Sequence, residues 1–571
     1  MNRQESRLRQ GCVRHMRVSG MAEIINNGFK EAHSFTHLAH TNRTIGVKNM
    51  NNKVTSNPLK KTALALMVAL SPNVFAYDLV IMNGRVMDPE TGLDKVTNVA
   101  VDNGQIVEIT DKALEGDKVI NAEGLVVAPG FIDTHSHVVA IPVMQKLQLR
   151  SGVTTPLALE VGAYPVSDWY MRLEGRSQTN FGASVSAAGI RTKVLNSKYN
   201  TRTGTMINDI FDTEEAKASG ISGVALSEIA NSEQIETITQ MVDKELKEGG
   251  LGIGVPVGYM SKAATTIETK EWQRLAGEYG VPTFLHGRFS SEMPPTSGLL
   301  GIEEMLSGVG IYGGGLLVQH MHQQTLNETP AALKMLDDAR DKGFSVMAEI
   351  YPYNFGATIA AADYLAPDNY QRNMGRDYSD IIETETMQPL TKERYEQLLK
   401  EDPGASVMFY GATNEDLKNA LAHESTIVGS DAFPLMKDNG MMAYSWNTSY
   451  EGLQGHPRAA GTQARVLKMV REDNLMPLMS AVSKMSYMPA KFLEENGIEQ
   501  MSKKGRLQVG ADADITLFDP NTVTDNSTLE EPGLPSTGIP YVVVNGTVVV
   551  EDSKVLKGVY PGKAIRNSLS N

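Results

Sequence analysis

The sequence holds one cysteine, Cys12, in 571 residues. A lone thiol excludes a disulfide framework, and its place in an N-terminal tail excludes a thiolate metal site in the body. Positive charge is also in deficit: 53 Lys and Arg stand against 67 Asp and Glu, net −14. No dense basic patch interrupts that balance, so nucleic acid and anionic membrane surfaces are excluded as partners. Nor is there an apolar run of the ~18 residues a spanning helix needs. The one candidate, Thr62 to Leu70, is short, follows Lys60-Lys61 and precedes Val74-Phe75-Ala76. Basic, apolar and small-residue regions in that order read as a secretory signal peptide over residues 50–76. The mature chain is then expected to begin near Tyr77 and to be periplasmic or secreted, with no membrane association after cleavage. Residues 1–49 carry eight Lys/Arg against three Asp/Glu and no sustained period; they read as a disordered tail or a gene start called too early.

What is present, 41% hydrophobic and 21% charged residues, describes a globular chain with room for one large barrel and an accessory domain. Asn-Gly punctuates apolar alternation at Asn83-Gly84, Asn103-Gly104 and Asn545-Gly546, the hairpin signal of turns that need positive φ at both central residues. Matching β patterns at both ends predict that residues 77–128 and 500–571 pair into one small β-sandwich; two unrelated β caps are the alternative. Between them, over residues 129–499, short apolar runs alternate with helical patterns such as Asn231 to Glu248 and Thr329 to Lys342, the mark of parallel βα units. Eight candidate strands, at Phe131 to Asp133, Val153 to Leu159, Phe181 to Val185, Gly252 to Val257, Thr283 to Leu285, Leu316 to Val318, Ser345 to Ile350 and Ile427 to Val428, are the number that closes a (β/α)8 TIM barrel. Residues 355–425 are too long for a βα loop and read as an insertion over the site.

Four of the 11 histidines lie in the tail, and four of the other seven close apolar, strand-like runs. His135 and His137, two apart after Phe131-Ile132-Asp133, point to one side of an extended segment. The C-terminal strand ends of a parallel barrel converge on one face. Reading that position along the chain gives His135, His137, Glu160, His286, His320 and Asp431. Four imidazoles and two carboxylates suit one or two borderline divalent ions such as Zn²⁺, with Asp431 beside metal-activated water as the proton shuttle. A helix cap for Asp431 and a solvated surface position for Glu160 are the alternatives.

These residues, with Pro129-Gly130-Phe131-Ile132-Asp133, Gly152-Val153-Thr154-Thr155 and Gly510-Ala511-Asp512-Ala513-Asp514, resemble the amidohydrolase superfamily over nearly all of residues 77–565. Trp169-Tyr170, Asn180 to Val185, His286-Gly287-Arg288, Glu349 to Tyr353 and His456-Pro457-Arg458 make the chain similar to the N-acyl-D-amino-acid deacylases, most like the N-acyl-D-glutamate branch. The resemblance implies metal-dependent hydrolysis of an N-acyl-D-amino acid, with the six residues as ligands and Asp431 as catalytic acid and base. Arg288, two residues after His286 on one strand, is expected to face the same cavity, and it or Arg458 to pair with a substrate carboxylate; Tyr351 resembles a substrate-contacting tyrosine of these deacylases. His322 stands where some relatives have a lysine for the substrate carboxylate. Glu160 stands where many D-aminoacylases have cysteine, and Ser186-Ala187-Ala188 offers no histidine where relatives often carry one. A cyclic-amide hydrolase of dihydroorotase or hydantoinase type, and a non-catalytic barrel scaffold, are the competing readings. Homo-oligomerisation is left open.

Overall fold

A computed structural model describes residues 76–195, 227–365 and 367–570. The expected N-terminal tail, and the expected signal peptide up to Phe75, lie outside the described residues.

Both ends of the described chain build one nine-stranded sheet. The first end supplies Tyr77–Asp88, Leu93–Asp102, Gln105–Thr110, Gly116–Asn121 and Val126–Pro129, the second Ile515–Phe518, Tyr541–Val544, Thr547–Glu551 and Lys554–Val555. They meet where Val126–Pro129 pairs antiparallel with Ile515–Phe518, as the shared β grammar predicts. A bridge between Gln105 and Asp512 curls the sheet onto a core of Leu79, Ile81, Val99, Ile106, Leu507 and Ile515. Asn103-Gly104 and Asn545-Gly546 are tight turns with positive φ at both residues. Asn83-Gly84 is not. Tyr77–Asp88 runs on as one strand, and both of its halves pair with Leu93–Asp102 across a bulge between Ile81 and Gly84. Gly84 is needed there for closeness rather than for turning, since a Cβ would lie 2.3 Å from Val127 Cγ2.

The eight expected barrel strands are all present, as Phe131–Asp133, Val153–Ala163, Gly182–Ser186, Ile253–Val255, Pro282–Leu285, Gly315–Val318, Val346–Ile350 and Thr426–Val428. They form an all-parallel sheet with the first and eighth at its ends. A parallel bridge between Ser136 and Ala432 closes the ring just beyond those strands. The Asp133 carboxylate reinforces that seam by accepting from the Ser430 N–H at 2.9 Å and from its hydroxyl. Inside, at the N-terminal end, Ile132, Leu157, Phe284, Leu317 and Ile427 pack on Phe492 and Leu493 of the helix Tyr487–Glu495. That apolar plug leaves the opposite mouth for polar groups.

The insertion holds a four-stranded antiparallel sheet, in the order Phe355–Ile359, Ser406–Tyr410, Ile381–Glu383, Gln388–Pro389, and the helix Lys392–Glu401 capped by Thr391. Its aromatic core of Tyr364, Tyr370, Tyr378, Tyr395 and Phe409 extends to Tyr259 of the barrel. The insertion ends sooner than the expected residue 425, because the helix Asn414–Ala422 packs on Thr329–Arg340 and on the eighth strand as a barrel helix.

Candidate metal centre

The strand ends deliver the six expected donors to one buried point. His135 Nε2 and His137 Nε2 lie 3.2 Å apart, and each lies 3.2 Å from Glu160 Oε2 and 3.2 Å from Asp431 Oδ1. Five separations of 3.2 Å suit a tetrahedral site with bonds of roughly 2.0 Å, the length Zn²⁺ makes to imidazole and carboxylate. The other oxygen, Glu160 Oε1, lies 2.7 Å from His286 Nδ1 and 3.4 Å from His320 Nε2. Glu160 is therefore common to two donor groups, as a carboxylate between two ions must be.

Glu160 reaches this position by an irregularity. Leu157 and Leu159 face the barrel interior, so strict alternation would turn residue 160 away. Register with the third strand shifts between Ala158 and Ala163, and the carboxylate turns to the mouth from within the strand rather than from its end. Asp431 and His320 both hold positive φ, 51° and 28°, a backbone state rare outside glycine and concentrated at functional sites.

The electrostatics match. Burial alone would raise the Asp431 carboxyl, yet the Arg458 guanidinium and the His135 imidazole hold it below the usual carboxylate range. Burial would also raise Glu160, and its contacts with His135, His137 and His286 hold it well below. Burial pushes His135 and His137 down, and the two carboxylates overcome that and leave both raised. His135 and His137 are thus biased toward a proton that a divalent cation would replace, and buried carboxylates of this kind are stable only when paired or coordinated. By donor chemistry and spacing the residues fit a metal.

Beside the donors lies a pocket lined by Tyr259, Ser290, Tyr351, Tyr364, Phe409 and Arg458, with His286, His320 and Asp431 at its floor. The insertion contributes Gly356, Ala357, Tyr364 and Phe409, so it covers the mouth as expected. Tyr351 is among the lining residues. Arg458 is 1% exposed, holds Asp431 Oδ2 at 2.9 Å through Nη2, and leaves Nε and Nη1 without a hydrogen-bond partner. His456 places it, donating to Phe355 O at 2.9 Å and accepting the Arg458 N–H at 3.0 Å.

Two expected substrate contacts are not at the pocket. Arg288 spends its guanidinium on Glu304 (2.6 Å), Ser261 O (3.1 Å) and Ala264 O (2.7 Å). The fifth strand ends at Leu285 and Phe289 has φ 62°, so the alternation that would aim Arg288 inward has lapsed. His322 is buried behind Tyr351, ring centroids 4.5 Å apart, and lies 3.1 Å from Tyr353 O through Nε2. Burial pushes its pKa down to about 3, so it is a neutral imidazole and no substitute for a lysine ammonium. Sequence reading also passed over Tyr259, Tyr364 and Phe409, which non-local packing brings in. It quoted Glu349 without a role, although an acidic residue within the buried strand Val346–Ile350 was a usable signal.

With this geometry in hand, comparison with known proteins is informative. A model of the Amidohydrolase family matches residues 213–550, more than half of the chain. The N-acyl-D-glutamate deacylase of Alcaligenes xylosoxydans xylosoxydans is 27% identical over 526 residues, covering 86% of this chain and 97% of the relative. The D-aminoacylase of the same organism is 24% identical over 517 residues, again 86% and 97%. Among solved structures, the N-acyl-D-glutamate deacylase from Bordetella bronchiseptica, complexed with zinc and a phosphonate inhibitor, superposes with TM-score 0.67 at 24% identity, covering 86% of this chain and all of the other.

Proposed function

The chain belongs to the Amidohydrolase family, and from that premise we propose that it hydrolyses the amide bond of N-acyl-D-amino acids, N-acyl-D-glutamate foremost, to a carboxylate and a free D-amino acid. The observation that carries the reading is Arg458: a buried guanidinium beside the donor cluster whose Nη1 amino group has no partner offers a charged donor to a carboxylate. The α-carboxylate of an N-acyl amino acid is two bonds from its amide nitrogen. Seated on Arg458, it brings that nitrogen next to Asp431, which Arg458 already holds at 2.9 Å.

His135, His137, Glu160, His286, His320 and Asp431 would hold one or two Zn²⁺ ions. When bound, such ions acidify water and polarise a carbonyl. Asp431, anionic and aimed from a strained backbone, takes the proton of the attacking water and returns it to the leaving nitrogen. Tyr259, Tyr351, Tyr364 and Phe409 close the walls and limit bulk water. The D configuration and the acidic side chain are supported by what the similar proteins act on. Glu160, in place of the carboxylated lysine usual in cyclic-amide hydrolases, favours the linear amide.

The test is release of amino acid from paired N-acetyl-D and N-acetyl-L forms of Glu, Asp, Met and Leu by the zinc-loaded protein, with Asp431→Asn as control. D-selective turnover of the acidic pair, lost in the control, is expected; faster turnover of hydantoins or dihydroorotate would overturn the reading. Export is part of the same proposal and rests on residues 50–76. N-terminal sequencing of the exported protein should begin near Tyr77.

A further inference from the structure

Glu349 lies inside the barrel on the seventh strand, fully buried, and does not line the pocket. Its Oε2 accepts two hydrogen bonds, from His135 Nδ1–H at 2.8 Å and from the His320 backbone N–H at 2.9 Å. We infer that Glu349 is a positioning residue for the metal centre, one carboxylate that orients both donor groups at once.

The argument is one of donors and acceptors. A carboxylate facing Nδ1 can only accept, so Nδ1 carries the proton and the His135 Nε2 lone pair is turned to the cluster. This is how an outer carboxylate fixes the tautomer and ring orientation of a ligating histidine. His320, in the second donor group, is held through its main chain instead. At φ 28° and ψ 48° its backbone is strained, and the bond to Glu349 fastens the N–H of that strained residue. His135 and His320 are 185 residues apart in sequence by their numbers and their rings are 5.3 Å apart. Glu349 is thus a tie between the two halves of the centre. The site is also tight around it, since a Cβ on Gly429 of the neighbouring strand would lie 2.7 Å from the Glu349 carboxyl carbon.

The inference rests on the metal reading but not on the substrate, and its test reads the metal directly. In the full chain, Glu349→Gln keeps an oxygen to accept both N–H groups and removes the charge, while Glu349→Leu removes both. Three quantities are measured: Zn²⁺ affinity by competition with a chromogenic chelator, the visible absorption bands of the Co²⁺-loaded protein, and thermal unfolding of the metal-free protein. The expected result is zinc bound about 10-fold more weakly in Glu349→Gln and about 100-fold more weakly in Glu349→Leu, with shifted Co²⁺ bands. Metal-free Glu349→Gln should still unfold cooperatively near the wild-type midpoint, because both N–H groups keep an acceptor. Wild-type zinc affinity and unshifted Co²⁺ bands in Glu349→Gln would overturn the proposal. So would a metal-free Glu349→Gln that has lost cooperative unfolding, since zinc loss would then follow from loss of the fold. If Glu349→Leu does not fold, Glu349→Gln decides alone.

Discussion

Two buried ionic clusters in this protein are built from similar parts and come to opposite ends. At the seam of β domain and barrel, Lys504 holds Asp512 at 2.9 Å and Asp514 at 2.8 Å, while Asp514 also accepts from Asn180 and from the Asn545 N–H, each at 2.8 Å. Opposite charges meet there and the acceptors are engaged. At the barrel mouth, by contrast, imidazole nitrogens crowd one another at 3.2 Å, two of the candidate donors sit at positive φ, and Arg458 keeps Nε and Nη1 unpartnered. Matched charge serves stability, and charge left open to a third party serves chemistry.

That contrast can be broken at either cluster. Asp431→Asn should have the largest effect: the carboxylate proposed to move the proton is lost, and amide hydrolysis should fall by about 10³-fold while the circular dichroism spectrum stays native. Lys504→Met should act on the other side of the comparison. It leaves the buried Asp514 and the half-buried Asp512 without their cation, costing roughly 3 kcal/mol of stability in urea unfolding, with turnover per folded molecule unchanged. Arg458→Met removes a charge-assisted contact worth about 2 kcal/mol, so KM for carboxylate-bearing substrates should rise some 30-fold. Retained wild-type KM would remove the basis for seating a carboxylate there.

The smallest effect concerns acid. Burial, reinforced by Arg458, pushes His456 well below the ordinary histidine value. In acid the unfolded chain protonates this imidazole while the folded protein does not, so stability present above pH ~6.5 is lost as pH falls. Replacing His456 by Gln should flatten the decline of the unfolding free energy from urea titrations between pH 6.5 and 5 by roughly 1 kcal/mol per pH unit. An unchanged slope would show that other groups dominate.

How much of this was legible in the sequence divides along the range of the interactions. Barrel strands read correctly because each is an apolar run of a few residues, and the donors because a His, Glu or Asp ending or interrupting such a run has few reasons to be there. Arg288 misread because alternation is a property of strands, and the strand stops three residues earlier. Glu160 came out right for an incomplete reason: its direction depends on a register shift between neighbouring strands that no local pattern encodes. Asn83-Gly84 shows the converse, a strong turn signal overridden because residues on both sides find the same partner strand. The aromatic walls come from an insertion that folds its own sheet and were invisible for that reason.

The pairing of Val126–Pro129 with Ile515–Phe518 bears on how the chain is made. Ribosomes deliver residues in order, at about 5–20 per second, and nearly four hundred residues separate these two strands. For roughly 20–80 s the edge of the first sheet half has no partner, and an open, apolar β edge is a template for pairing with other chains. The segment Leu125-Val126-Val127-Ala128 is such an edge and leads directly to the histidines of the first barrel strand. Synthesis therefore carries the β domain half-built until Ile515–Phe518 arrives, and Leu125 to Ala128 stays an open edge for that interval.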